Sequence, residues 1–118
     1  MADTKTVIDQ FQDAFQQRTP DGLIDIIGDD CVMEGVGPAP EGNRWTGYDE
    51  CLAGWRELIL DPEIRFENEQ VDVDGELAVL RWRLVAAEPF RGVTILRVHD
   101  GKIVEALGYG KRPEFVVP

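Results

Sequence analysis

The chain has 118 residues, 43% of them hydrophobic and 30% charged, with a formal net charge of −11. That is room for one domain, which should bury roughly two thirds of the surface its unfolded chain exposes. The acidic excess argues against nucleic acid, whose phosphates need clustered Lys and Arg, and against an anionic membrane surface, leaving a weak bias toward neutral or cationic small ligands.

No segment approaches the ~20 apolar residues of a membrane span. Met1 to Lys5 has neither the basic start nor the apolar run of a signal peptide, so a cytoplasmic location is expected. Cys31 and Cys51 make no disulfide framework and sit in apolar-flanked segments, which predicts reduced, inert thiols. With one histidine, His99, and no Cys-x-x-Cys or His-Glu-x-x-His spacing, no metal site and no cofactor are expected.

Thr4 to Arg18 reads as a helix. Val7, Ile8, Phe11, Ala14 and Phe15 form an apolar stripe, and Asp9, Gln10, Gln12, Asp13 and Gln16 are assigned to water. Thr19 can cap a second helix, with Pro20 at its first position, Leu23, Ile24, Ile26 and Ile27 as its apolar content and Gly28 at its end. Cys31 to Glu34 is a short strand running into the loop Gly35, Gly37, Pro38, Pro40 and Gly42. Thr46-Gly47-Tyr48-Asp49 resembles a capping box, so a third helix should follow, burying Cys51, Leu52, Trp55, Leu58 and Ile59 and ending at Asp61-Pro62.

Two hairpins complete the chain. Ile64 to Val73 turns at Asp74-Gly75 into Leu77 to Ala86, and Phe90 to Val98 turns at Asp100-Gly101 into Ile103 to Tyr109. Both Asp-Gly pairs suit the positive φ of tight hairpin turns. Pro113 to Pro118 reads as a tail, with Phe115, Val116 and Val117 able to dock on the sheet. The pattern is α+β: three N-terminal helices packed on a strongly curved, mostly antiparallel sheet, with a conical cavity between them.

This order resembles the nuclear transport factor 2-like superfamily, nearest its SnoaL-like and ketosteroid-isomerase-like branches. The likeness spans about Val7 to Lys111. It rests on Pro20-Asp21-Gly22-Leu23 with Gly28-Asp29-Asp30-Cys31-Val32, on the Gly47 start of the third helix, and on Arg91 to Ile103. It implies a single SnoaL-like domain over residues 1–118, with a core of about 4–111 and a tail at 112–118. In ketosteroid isomerases a helix-one tyrosine and a strand acid form an oxyanion hole while a second carboxylate moves the proton. Matched to this chain, those positions fall on Phe11, Thr94 and Gly35, and none carries the required group. Limonene-epoxide-hydrolase-like members use two aspartates and an arginine, whereas here Arg81 and Arg83 flank Trp82 with no aspartate two residues on.

SnoaL-like cyclases use an acid on the cavity wall, and Glu34 is the carboxylate nearest that place. One reading is therefore an isomerase, cyclase or hydrolase-type enzyme acting on a small hydrophobic carbonyl compound. Glu34 would be its acid or base, with its pKa raised by apolar walls, and Thr94 would polarise the oxygen. The other reading is a hydrophobic-ligand-binding or dimeric interaction module without catalysis. Strand parity puts Leu80, Trp82 and Leu84 inside, with Arg81 and Arg83 outside; Thr94, Leu96 and Val98 also point in. On the last strand Val104, Ala106, Gly108 and Gly110 are expected inside and Ile103, Glu105, Leu107 and Tyr109 outside. The ligand wall is expected from Phe11, Phe15, Trp45, Trp55, Leu80, Trp82, Leu96 and Ala106, and a homodimer from the convex sheet face around Leu107 and Tyr109.

Overall fold

The computed structural model describes residues 3–38 and 41–111. The expected docking of Phe115, Val116 and Val117 lies outside them.

The first helix, α1 (Thr4–Gln16), starts where the Asp3 carboxylate accepts from the Thr6 amide, filling a donor that the helix itself leaves unpaired. Its apolar stripe is buried at Val7, Ile8, Phe11 and Ala14. Arg18, at φ 56°, ends the helix, and its guanidinium donates to the carbonyls of Asp61 and Ile64. The end of α1 is thereby fastened to the segment leaving the other helix.

The expected second helix is a single 3₁₀ turn, Pro20–Leu23, capped by Thr19. Its apolar content is spent differently: Leu23 and Ile26 are buried, and Ile27 opens strand β1 (Ile27–Glu34) opposite Ile103. The β-branched residues favour that extended path. Among the described residues there are thus two α-helices rather than three, and Gly28 lies within a strand instead of ending a helix. The Gly/Pro loop folds back, with the Gly35 amide donating to the Asn43 carbonyl, so that β2 (Arg44–Thr46) pairs antiparallel with β1.

Helix α2 (Tyr48–Leu60) begins at Gly47, φ 91°. The anticipated capping box does not form. Glu50, not Asp49, accepts from the Thr46 amide, and no side chain caps the helix. Cys51, Trp55 and Ile59 are buried as expected, whereas Leu52 is half-buried and Leu58 is 38% exposed.

Strands β3 (Arg65–Asp74), β4 (Leu77–Val85), β5 (Phe90–His99) and β6 (Lys102–Gly110) follow the expected hairpins. The sheet order is β2-β1-β6-β5-β4-β3, parallel only between β1 and β6. Both α-helices lie against one face, leaving the other open, with α1 over β3, β4 and β5 and α2 over β1 and β2.

Alternation holds on β4 and β5: Leu80, Trp82, Leu96 and Val98 are buried, and Arg81 and Arg83 are exposed. Arg81 donates to the Gln70 side chain rather than to an acid. The last strand departs from simple alternation. Val98 pairs with Ile103 but Arg97 pairs with Glu105, so the ladder carries a bulge at Val104 that shifts parity by one residue. Ile103, expected outside, is completely buried, and Val104, expected inside, is half-buried.

Candidate functional site

Between the helices and the sheet lies a pocket of about 410 Å³, within the size range of small-molecule sites. Of the eight residues expected to contact ligand, Phe11, Phe15, Trp45, Trp55, Leu80, Trp82 and Ala106 line it. Leu96 does not; it is fully buried beneath the wall, cross-strand from Ala78 and Ala106.

The rings are coupled. Trp55, Phe11, Phe15, Phe66, Trp82 and Phe90 form a continuous series with successive centroids 5.3, 5.1, 5.5, 5.2 and 5.7 Å apart. Most contacts are edge-to-face, the arrangement that the ring quadrupole favours. The series runs from α2 through α1 to β3, β4 and β5, so both helices and the sheet share one aromatic wall. The small residues of β6 do not all open space: a Cβ at Gly110 would lie 2.8 Å from Val36 and 2.9 Å from Phe90.

Thr94 lines the pocket from β5, and its hydroxyl oxygen accepts from Trp82 Nε1 at 2.9 Å. Indole N–H can only donate, so this bond uses the oxygen and leaves the hydroxyl proton for another acceptor. Accepting one hydrogen bond also makes the hydroxyl a stronger donor. No acceptor for that proton exists among the described residues.

Glu34 borders the same pocket, but its carboxylate is paired with Arg44. The pairing follows from register. Met33 opposes Trp45, and Glu34 opposes Arg44; Met33 is buried and lines the pocket with Trp45. Alternation therefore turns Glu34 and Arg44 to the opposite face of the sheet.

Sequence reasoning missed Gln12. Assigned to water, it lines the pocket instead, and its side-chain nitrogen is buried with no hydrogen-bond partner among the described residues. The available signal was its place four residues after Ile8 and three before Phe15, on the margin of the apolar stripe. Asn68 and the acids Glu57 and Asp61 also contribute to the wall.

The remaining polar candidates lie elsewhere. Cys31 and Cys51 are free and buried; burial is the main cause holding both thiols above the ordinary range, which keeps them protonated and unreactive. His99 sits at the β5–β6 turn, where pairing with Glu76 and then Asp100 raises its pKa. No group of metal-ligating side chains occurs among the described residues, and no helix among them is long and apolar enough to cross a membrane.

A two-helix layer on one face of a curved six-stranded sheet, with an aromatic pocket between, defines an α+β fold of the nuclear transport factor 2 type. The SnoaL-like domain family model matches residues 8–106, and the chain belongs to that family. It is 40% identical to an NTF2-like protein of unknown function from Mesorhizobium loti, with a TM-score of 0.89 over 92% of this chain and 90% of the other. A putative ketosteroid isomerase from Kribbella flavida shares the fold at 20% identity, TM-score 0.79, over 98% and 82% of the two chains. A putative polyketide cyclase from Sinorhizobium meliloti does so at 22% identity, TM-score 0.72, over 87% and 93%. Among curated proteins none matches.

Proposed function

We propose that this protein binds a small, largely apolar carbonyl compound in the aromatic pocket, with the Thr94 hydroxyl donating to the ligand oxygen, and does not transform it. The carrying observation is the Trp82–Thr94 hydrogen bond. It fixes the hydroxyl in an apolar wall and leaves its proton free to donate to a ligand oxygen. The reduced, buried thiols fit a cytoplasmic setting.

An isomerase, cyclase or hydrolase using Glu34 as acid or base is the second reading. In its favour, Glu34 borders the pocket, and proteins of this fold include ones described as a putative ketosteroid isomerase and a putative polyketide cyclase. Against it stands the ion pair with Arg44 on the far face of β1 and β2.

A panel of enones and β-keto compounds separates the two. Ligands are expected to raise the melting temperature without proton exchange or isomerisation, in the wild type and in Glu34→Gln alike. Thr94→Val should weaken binding about tenfold, the worth of one buried hydrogen bond, and Thr94→Ser should restore it. Turnover by the wild type that Glu34→Gln abolishes would establish the enzyme instead.

We also propose a homodimer through the open sheet face. Val79, Ile95 and Leu107 form a row across β4, β5 and β6. Around the row stand both charges, with Arg91 paired to Glu69 and Arg97 beside Glu105. A two-fold axis through such a patch sets arginine against acid on both sides. Leu107→Glu should convert the dimer to monomers in sedimentation; an unchanged coefficient would dismiss this face.

A further inference from the structure

We infer that Gln12 is the specificity-determining anchor of the pocket, a second donor that selects ligands carrying a neutral oxygen acceptor and rejects both hydrocarbons and carboxylates. This rests on the pocket reading above and names the polar group that the ligand must bring.

The first support is the orphaned donor. Gln12 stands on α1 between Phe11 and Phe15, whose rings form part of the wall, and its Nε2 is sealed from solvent without an acceptor. A buried donor left unpaired forfeits its hydration with nothing in return, so native structures nearly always supply a partner. The neighbouring Gln10 shows the ordinary outcome on the same helix, its amide donating to the Gly22 carbonyl at 2.8 Å. Gln12 Nε2 makes no such bond among the described residues. Its side chain lines the pocket, so a turn of the buried amide toward an occupant would complete it.

The second support is the sign of charge around it. Glu57 and Asp61 contribute acids to the wall, the Glu34 carboxylate being held by Arg44 on the other face of the sheet, and among the described lining residues there is no Lys, Arg or His. An anionic ligand would be repelled by those acids and would find only uncharged donors to offset its desolvation. A ketone, ester or amide oxygen accepts from Gln12 without that penalty. A hydrocarbon of the same shape would leave the amide unpaired.

Three probes of one shape test the inference by calorimetry: 2-acetylnaphthalene, 2-ethylnaphthalene and 2-naphthoate. The wild type should prefer the ketone to the hydrocarbon by about tenfold or more and give no heat with the carboxylate. Gln12→Met, which keeps length and flexibility but removes the donor, should shrink the ketone-to-hydrocarbon ratio about tenfold. It should also leave the unliganded melting temperature equal or higher, because an unpaired buried group is removed. Probes that bind with a ratio unmoved by Gln12→Met overturn the inference while the pocket reading survives. A lowered unliganded melting temperature overturns it too, by showing that the amide serves the fold. If none of the probes binds the wild type, the pocket reading falls and this inference falls with it.

Discussion

Gly92→Ala is expected to destabilise the protein by about 2–3 kcal/mol, read as a lower urea midpoint at unchanged slope. Gly92 lies directly across the β4–β5 pair from Trp82. A Cβ there would stand 2.5 and 2.6 Å from two carbons of the indole and 2.6 Å from the Tyr109 carbonyl oxygen. Neither neighbour yields cheaply. The carbonyl belongs to the β6 backbone, so moving it opens the β5–β6 ladder. The indole is packed by Phe66 at 5.2 Å and Phe90 at 5.7 Å, and its N–H is bonded to Thr94. The same variant should weaken ligand binding, because a displaced indole releases the Thr94 hydroxyl that it orients. Gly92 is thus less a flexible link than the space in which Trp82 rests. A midpoint within about 0.5 kcal/mol of the wild type would show that the indole relocates freely and that the wall is soft.

The contrast between what the residues announced and what they concealed follows from how far each feature depends on distant neighbours. The stripe of α1, the Asp100-Gly101 turn and the inward rows of β4 and β5 are local patterns with the right period, and they were legible; the first hairpin turns one residue later than expected, at Gly75-Glu76, with Asp74 still paired to Leu77. Strand β2 was not: Arg44-Trp45-Thr46 is too short to display alternation and exists because the loop returns it to β1. The second helix failed because Leu23 to Ile27 is apolar at any spacing, and pairing with β6 decides the strand. In the pocket wall, Leu80, Trp82 and Ala106 follow from strand parity and Phe11, Phe15 and Trp55 from helical spacing. Gln12 was concealed because a glutamine on the margin of a helical stripe becomes buried only when the helix packs against the sheet. The partner of Thr94 was concealed for the same reason, since Trp82 and Thr94 meet only once β4 and β5 are in register. Glu34 borders the pocket, yet the direction of its side chain depends on pairing with a strand that the sequence did not disclose.

The bulge on β6 gives the sharpest disagreement between simple alternation and the structure, and the two residues involved give opposite numbers. Ile103→Ala should cost about 2–5 kcal/mol, the range for deleting most of a buried aliphatic side chain where the surroundings cannot collapse. Ile103 is fully buried, partnered by Val98 on one side and Ile27 on the other. It is held there by its own amide donating to the Ile26 carbonyl at 2.7 Å. Val104→Ala should cost about 1 kcal/mol or less, since a half-exposed valine loses little burial. Uninterrupted alternation demands the reverse order. The extra residue exists because the β5–β6 turn and the parallel pairing with β1 make different demands on one strand. Near the turn, Ile103 must face the core beside Val98. Farther along, Ala106 must face it beside Leu96, and the three positions from Ile103 to Ala106 bring a residue to the same face only if one is unpaired. Deleting Val104, the unpaired residue, leaves Ile103, Glu105 and Ala106 opposite Val98, Arg97 and Leu96 in plain alternation, so the shortened chain should still fold cooperatively with Ile103 and Ala106 on the core face. A deletion variant that failed to fold would show that the parallel pairing with β1, rather than the β5–β6 ladder, requires the extra residue.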